Sequence, residues 1–329
     1  MRSKGCVLVT GGAGFIGSHT CKHLSAQGFY PVAYDNLSTG HRRAVRWGPL
    51  LEGDVRDATK LTAAMLYYAP VAVFHFAASA YVGESVEDPA KYYYNNVGGM
   101  ISLLGVLRNI PVRYLVFSSS CATYGIPDLL PIDEQSIQKP INPYGRSKLI
   151  CEQMTTDHAN AYGLTFAILR YFNACGADPD GELGEWHSPE THLIPRALLA
   201  ASGRLPPLAI FGDDYDTEDG TCVRDFVHVS DLARAHVLAL DHLVRGGASL
   251  AVNLGTGRGM SIRQVLDGIQ RTTHRRVPTV VKLRRRGDPP ILYASVDLAR
   301  MTLGFEPMLS DIGTIVQTAA PFFGLEAYQ

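Results

Sequence analysis

The apolar run Cys6-Val7-Leu8-Val9 breaks directly into Thr10-Gly11-Gly12-Ala13-Gly14-Phe15-Ile16-Gly17, and that junction leaves few architectures open to the chain. A buried strand must turn sharply into a helix, which the spacing predicts to begin near Ser18. Glycine alone tolerates both the backbone angles and the close approaches such a turn demands. Gly12, Gly14 and Gly17 satisfy G-x-G-x-x-G in the setting the pattern requires, after a strand and before a helix. Backbone N–H groups and the positive end of the helix then face outward together, which suits a dinucleotide pyrophosphate.

The same rhythm continues through Pro31–Tyr34, Leu50–Leu51, Ala72–Phe76, Tyr114–Phe117 and Phe166–Leu169, with connections long enough for helices. Near-continuous apolar strands imply an α/β fold, a doubly wound parallel Rossmann sheet covered on both faces. After Asn173 the pattern changes to loops rich in Gly, Pro and charge from Asp178 to about Gly220, with one helical stretch near Leu193–Ala201. Phe226 to Leu243 and Leu250–Leu254 read again as helix and strand. The expected division is therefore 1–173 plus about 226–256 for a NAD-binding Rossmann domain, and about 174–225 plus 257–329 for a smaller C-terminal substrate-binding α/β region.

A length of 329 residues with 46% hydrophobic content supports sizeable cores, and a net charge of -1 argues against a nucleic-acid or membrane surface. Small molecules are the expected partners. Six scattered cysteines, Cys6, Cys21, Cys121, Cys151, Cys175 and Cys222, lack a C-x-x-C pair or histidines at zinc spacing. The run Asp213 to Gly220 suggests a calcium loop, but its glycine and final glutamate are misplaced for one. These features, with the first strand so near Met1 and no apolar run of about 18 residues, lead to the expectation of a reduced, cytoplasmic protein without metal.

Asp35 closes the second strand, where a carboxylate accepts bonds from both ribose hydroxyls and repels a 2′-phosphate, favouring NAD over NADP. Arg42 and Arg43, nearby in sequence, read as solvated loop charges. Asp54 ends the next strand, where it reaches an adenine amino group or caps a helix. Ser118-Ser119-Ser120 closes a later strand; one hydroxyl is expected to meet substrate and the others to bond backbone. Tyr144 and Lys148, four apart on a helix, project on one face, and an ammonium beside a phenol favours the phenolate. Alone that spacing also describes two surface residues; its company in this chain makes Tyr144 a base.

Nearly end to end, the chain resembles the nucleotide-sugar 4-epimerases of the extended short-chain dehydrogenase/reductase family. The resemblance is carried by Thr10 to Gly17, Asp35-Asn36-Leu37-Ser38, Val82-Gly83-Glu84-Ser85, Asn95-Asn96-Val97, Ser118 to Ser120 and Asn142-Pro143-Tyr144-Gly145-Arg146-Ser147-Lys148. Leu169 to Asn173, Phe211 to Tyr215, Asp219-Gly220-Thr221, Val223-Arg224-Asp225 and Arg285-Arg286-Gly287-Asp288 extend it. It implies interconversion of UDP-galactose and UDP-glucose by transient oxidation at C4. Tyr144 would be the base, Lys148 would hold the nicotinamide ribose and depress the Tyr144 pKa, and Ser120 would orient the 4-hydroxyl. Gly11, Gly14, Phe15, Ile16, Gly17, Asp35, Asn36, Leu37, Ser38, Asp54, Val55, Phe76, Ala77, Ala78, Asn95 and Phe172 would join these three around NAD. The UDP-sugar would be gripped by Asn173, His192, Leu193, Ala209, Phe211, Arg224, Arg285, Asp288 and Leu292, beside Ser120 and Tyr144.

Departures bear on the sugar. Ala80 stands where many members have lysine, His192 where some have asparagine, and Leu292, followed by Tyr293, where some carry a bulky tyrosine excluding N-acetyl sugars. UDP-N-acetylhexosamines and UDP-xylose or UDP-arabinose are therefore alternative substrates. Related dehydratases need a carboxylate pair where this chain has Cys121 and Ala122, a related reductase would exchange NADPH against Asp35, and a non-enzymatic NAD sensor would not need both Tyr144 and Lys148. The resemblance also implies a homodimer through helices around Tyr92–Arg108 and Tyr144–Tyr162.

Overall fold

Strands apolar on both faces need helices on both, and the computed structural model, which describes residues 4–285 and 289–328, arranges them so. In chain order come β1 (Cys6–Thr10), α1 (Phe15–Ala26), β2 (Tyr30–Asp35), β3 (Leu50–Glu52), α2 (Ala58–Tyr68), β4 (Ala72–His75), α3 (Val82–Glu87), α4 (Pro89–Tyr92), α5 (Gly98–Leu107), β5 (Tyr114–Ser120), α6 (Pro143–Tyr162) and β6 (Thr165–Tyr171). A seven-stranded parallel sheet forms in the order Leu250–Leu254, β6, β5, β4, β1, β2, β3. The strand order reverses between β1 and β4, which opens the crevice where a doubly wound sheet takes its ligand. One core packs α1 and the helix Val229–Val244 on one face; the other packs α2, α5 and α6 opposite.

Local signals set the key helices. Gly14, extended at φ -81° and ψ 176°, is the N-cap of α1, so that helix opens at Phe15 rather than near Ser18. At α6 the Asn142 side chain accepts from the Gly145 N–H, Pro143 fills the first turn, and Gly163 ends the helix at φ 76°. Between α4 and α5 the residues Tyr93–Val97 form a π-helical turn.

The remainder is built from small strand groups. Leu208–Phe211 pairs with Thr279–Lys282, and Val223–Arg224 lies between Met260–Ser261 and Ile291–Leu292. Their core draws on the helices Leu193–Ala201, Ile262–Thr273 and Ile312–Ala319. Asn173–Cys175 pairs with Phe226–His228 on the way back towards the large sheet. Among the described residues no helix is long and apolar enough to cross a membrane.

Candidate active site

Each glycine of the first turn answers a different demand. Gly11 takes φ +73°, and a Cβ on it would lie 2.7 Å from the Ala77 nitrogen; one on Gly17 would lie 2.2 Å from the Gly11 carbonyl oxygen. Phe76 and Ala77 in turn donate to the Thr10 carbonyl, fastening the end of β4 to the end of β1. Gly14 differs, since a Cβ there would meet only that same carbonyl oxygen, at 3.3 Å. Its outer side is open beside a helix start whose first N–H groups have no partner within the helix, which fits a pyrophosphate. Ile16 packs inward against the core, and Phe15 turns edge-on to His19.

Asp35 shapes the adjoining wall. Its Oδ2 accepts from the Ala13 N–H at 3.0 Å and its Oδ1 from the Leu37 N–H at 2.8 Å, Leu37 standing in the left-handed region at φ 58°. The carboxylate is nearly buried, and that burial raises its pKa against the two backbone bonds. Each oxygen retains a lone pair for a ribose hydroxyl, so the wall suits an unphosphorylated adenosine. Arg42 is paired with Glu52 at 2.5 Å and Arg43 stacks 4.0 Å from the centroid of Trp186, so both are engaged away from a 2′-phosphate role.

Asn36 donates to Asp54 Oδ2 at 3.0 Å, while Ser38 donates its N–H to Asn36 Oδ1. Arg56 grips both Asp54 oxygens, at 2.8 and 2.6 Å, and holds this carboxyl well below the usual range. With the Arg56 N–H added, four donors already meet Asp54, which makes it a brace for Asn36. Val55 abuts Gly99 of α5, where a Cβ would come within 2.7 Å of it. Ala78 leads into Ser79, whose hydroxyl accepts from Asn95; Asn96 clasps the Ser79 backbone from both sides and donates to Ser147 of α6 at 2.9 Å. The π-helical turn thus presents successive asparagines to one loop.

Tyr144, Lys148 and Glu152 form a stripe along α6, and β5 meets each with a different serine. Tyr144 stands beside Ser120, Lys148 Nζ donates to the Ser118 carbonyl at 2.7 Å, and the Ser119 hydroxyl donates to Glu152. Ser118 bonds the Tyr171 hydroxyl. Ser118 and Ser119 therefore serve side chains, not backbone as expected, and Ser120 is left facing the phenol. Glu152 ion-pairs with Arg170 at 2.7 Å where both are buried, Arg170 donates to the Tyr124 hydroxyl, and Tyr124 donates to Asn253. The edge of Tyr92 braces the Tyr144 ring at a centroid distance of 6.3 Å. Glu152 was recoverable from its spacing, eight residues after Tyr144 on the same face; Arg170, Asn96 and Tyr92 carry no such local mark.

Burial dominates the electrostatics of the Tyr144–Lys148 pair in the protein by itself. Burial pushes the Tyr144 phenol up to about 12, with Ser120 pulling the other way, and burial brings Lys148 down to about 8. Lys148 Nζ lies 5.9 Å from the phenol centroid and spends a hydrogen bond on Ser118, so desolvation outweighs its field at Tyr144.

Beyond the phenol, Cys121 and Leu292 pack against a small cluster containing Phe172, Tyr124 and Ala294. Leu292 pairs in register with Arg224, whose guanidinium bonds the Val223 carbonyl. The Asp213–Gly220 loop reaches this strand through Asp219, which accepts from Thr221 and Ser261. Asn173 donates through its side chain to the Asp225 carbonyl at 2.9 Å. Ala209 and Phe211 share one strand, and Arg285 lies over the Phe211 ring at 3.9 Å. Arg284 instead turns to Asp214 at 2.7 Å. His192 caps the helix that Leu193 opens, its imidazole directed at Glu185 and Glu190. Asp288 lies outside the described residues.

Comparison with known proteins matches this arrangement. The model of the NAD dependent epimerase/dehydratase family matches residues 7–255. The UDP-glucose 4-epimerase of Rhizobium meliloti (strain 1021) is 52% identical over 313 residues, 95% of either chain. A crystal structure of UDP-glucose 4-epimerase from Brucella ovis in complex with NAD is 64% identical with a TM-score of 0.97, covering 98% of this chain and 100% of that one. Another, from Stenotrophomonas maltophila with bound NAD and formylated UDP-arabinopyranose, is 40% identical with a TM-score of 0.93 over 97% of each chain. The glycine turn, the acidic ribose wall and the Tyr144–Lys148 stripe thus occur in a chain that belongs to the NAD dependent epimerase/dehydratase family.

Proposed function

We propose that this protein is a NAD-dependent 4-epimerase that interconverts UDP-galactose and UDP-glucose. The observation that carries the reading is the meeting of Tyr144, Ser120 and Lys148 on the same sheet edge as the glycine turn and Asp35. NAD, when bound, supplies a reversible acceptor for the hydride at C4.

Ser120 positions the 4-hydroxyl and Tyr144 removes its proton. A phenol held near 12 needs a positive charge close by to act as a base at neutral pH; Lys148 provides one, and the oxidised nicotinamide is cationic as well. Lys148, anchored to Ser118, also stands where it can hold the nicotinamide ribose. Inversion requires the 4-keto sugar to present its other face while the nucleotide stays fixed. The firm contacts fall to Asn173, Leu193, Phe211, Arg224 and Arg285, with forked guanidinium donors suited to diphosphate. Leu292, partly buried beside Cys121, gives the hexose an apolar neighbour that offers no hydrogen bond to hold one orientation. Cys121 and Ala122 occupy the positions a dehydratase would give to acid and base.

The protein acts as a homodimer in the cytoplasm under this reading. Ile101 on α5 is 60% exposed, and Cβ atoms built on Gly98 and Gly105 of that helix would meet open space, so an apolar face with low relief is available to a second copy. Light scattering at micromolar concentration should give twice the chain mass. The activity is tested by incubating purified protein with UDP-galactose without added cofactor and resolving the products; UDP-glucose is expected, and no conversion even with NAD supplied refutes the assignment.

A further inference from the structure

The connection between Cys175 and Leu193 carries two acidic groups, and they are neutralised differently. Asp178, Asp180 and Glu182 surround the Lys22 ammonium at 2.7, 2.6 and 2.9 Å. Glu185 and Glu190, with side chains only 3% and 8% exposed, form no ion pair with a lysine or arginine among the described residues. They face His187 and His192 instead. Glu185 Oε1 lies 3.0 Å from His187 Nδ1 and 2.9 Å from His192 Nδ1; Glu190 Oε1 lies 2.9 Å from His192 Nδ1 and its Oε2 3.7 Å from His187 Nδ1. The backbone N–H groups of Thr191 and His192 also occupy Glu190 Oε1, leaving Oε2 as that residue's available ligand.

We propose that Glu185, His187, Glu190 and His192 bind a divalent transition-metal cation, with zinc the ion their chemistry fits best. One ligand atom from each residue lies within 4.8 Å of all the others. Tetrahedral zinc with bonds of about 2.0–2.2 Å separates its ligands by about 3.4 Å, and Glu185 Oε1, at 3.0 and 2.9 Å from the two Nδ1 atoms, and Glu190 Oε2, at 3.7 Å from His187 Nδ1, fall on either side of that value. Two imidazoles and two carboxylates are hard-to-borderline ligands of the kind zinc takes.

Charge supports the same conclusion. Without an ion, each ring meets Glu185 only by turning an Nδ1–H towards it, with the ring centroids 4.8 Å apart, and neutral rings leave both carboxylate charges unbalanced. One divalent cation balances both carboxylates and leaves the rings neutral. The expectation of no metal was drawn from the six cysteines, which lack a C-x-x-C pair or histidines at zinc spacing, and not from this run of histidines and glutamates.

The ion would be structural. It would tie the cap of the Leu193–Ala201 helix to Tyr81 and Phe15, whose rings stand 5.9 and 6.3 Å from His187. It takes His192, which the resemblance gave to the UDP-sugar, as a metal ligand instead, and its binding is read without any measurement of activity. The test is to dialyse the full chain against EDTA, add zinc chloride, and measure bound zinc by mass spectrometry, affinity by competition with a chromophoric chelator, and the melting temperature. One zinc per chain is expected, with a dissociation constant of about 1 µM or tighter and a melt raised by ligand linkage. Glu185→Gln and His187→Asn should each weaken binding at least ~100-fold, while Glu182→Gln in the neighbouring cluster should not. Cobalt chloride added to the wild-type protein should give intense tetrahedral visible bands, a readout that survives if a variant fails to fold. No zinc bound by the folded protein at about 100 µM, well above the affinity expected of a structural site, or equal binding by folded His187→Asn, overturns the proposal.

Discussion

The edge of the seven-stranded sheet and the small strand groups beside it hold their functional side chains in different ways. On the sheet edge Tyr144, Lys148 and Glu152 are each fixed by a neighbouring strand serine, and the ion pair beneath is shut away from water. In the second region Phe211 and Arg224, proposed to meet the nucleotide, sit on strands two to four residues long, and Arg285 reaches the Phe211 ring from beyond the strand Thr279–Lys282. Proton and hydride transfer lose efficiency with displacements of an ångström. The diphosphate grip proposed for Arg224 and Arg285, through long guanidinium arms, tolerates more movement, so a less extensive scaffold would suffice there.

The largest test of that contrast is Tyr144→Phe. It should lower turnover by about 10²–10⁴-fold while bound NAD, read by absorbance and cofactor release, stays at the wild-type level; an active variant would remove the chemistry from the sheet edge. Glu152→Ala comes next, because it leaves the Arg170 guanidinium buried without its partner. A loss of about 3–5 kcal/mol is expected in denaturant melts; an unchanged midpoint would show that the buried pair is not what braces α6.

Acid should strike the same half. Burial holds His75 down at about 3 and His19, His228 and His236 at about 4. The unfolded chain binds protons at these rings from about pH 6.5 downward while the folded chain does not, so stability falls as pH drops from 6.5 to 4. Urea melts at pH 7, 5.5 and 4.5 that coincide would contradict it. In the second region Phe211→Ala should raise KM for UDP-galactose about 30-fold through lost stacking with Arg285, with kcat nearly kept. A fall in kcat instead would mean the two regions are not separable. The smallest effect is expected for Leu292→Tyr, which should cut turnover of UDP-N-acetylglucosamine relative to UDP-glucose by about 10-fold. Equal turnover ratios in the two proteins would take Leu292 out of sugar selection.

What could be read in the chain beforehand followed the same division. The glycine turn and the Tyr144–Lys148 spacing are local patterns, legible because helix period and backbone freedom act over a few residues. Asp35 was legible from its place after the second strand. The start of α1 was misplaced because Gly14 caps in an extended conformation that no side chain advertises. Leu208–Phe211 escaped because its partner is Thr279–Lys282, far along the chain, and Arg170 because its role exists only once β6 lies beside β5. Arg284 and Arg285, neighbours in sequence, part in the fold, Arg284 folding onto Asp214 while Arg285 stacks on Phe211.

The polar chain from Glu152 through Arg170 and Tyr124 ends on Asn253, in the last strand to join the large sheet. That ending sets a timetable for biosynthesis. A ribosome has made α6 and its tyrosine long before it reaches Asn253, and until then Arg170 and Tyr124 lack the terminus of their network. A nascent chain therefore carries Ser120, Tyr144 and Lys148 for roughly a hundred codons before Asn253 can complete the network beneath them.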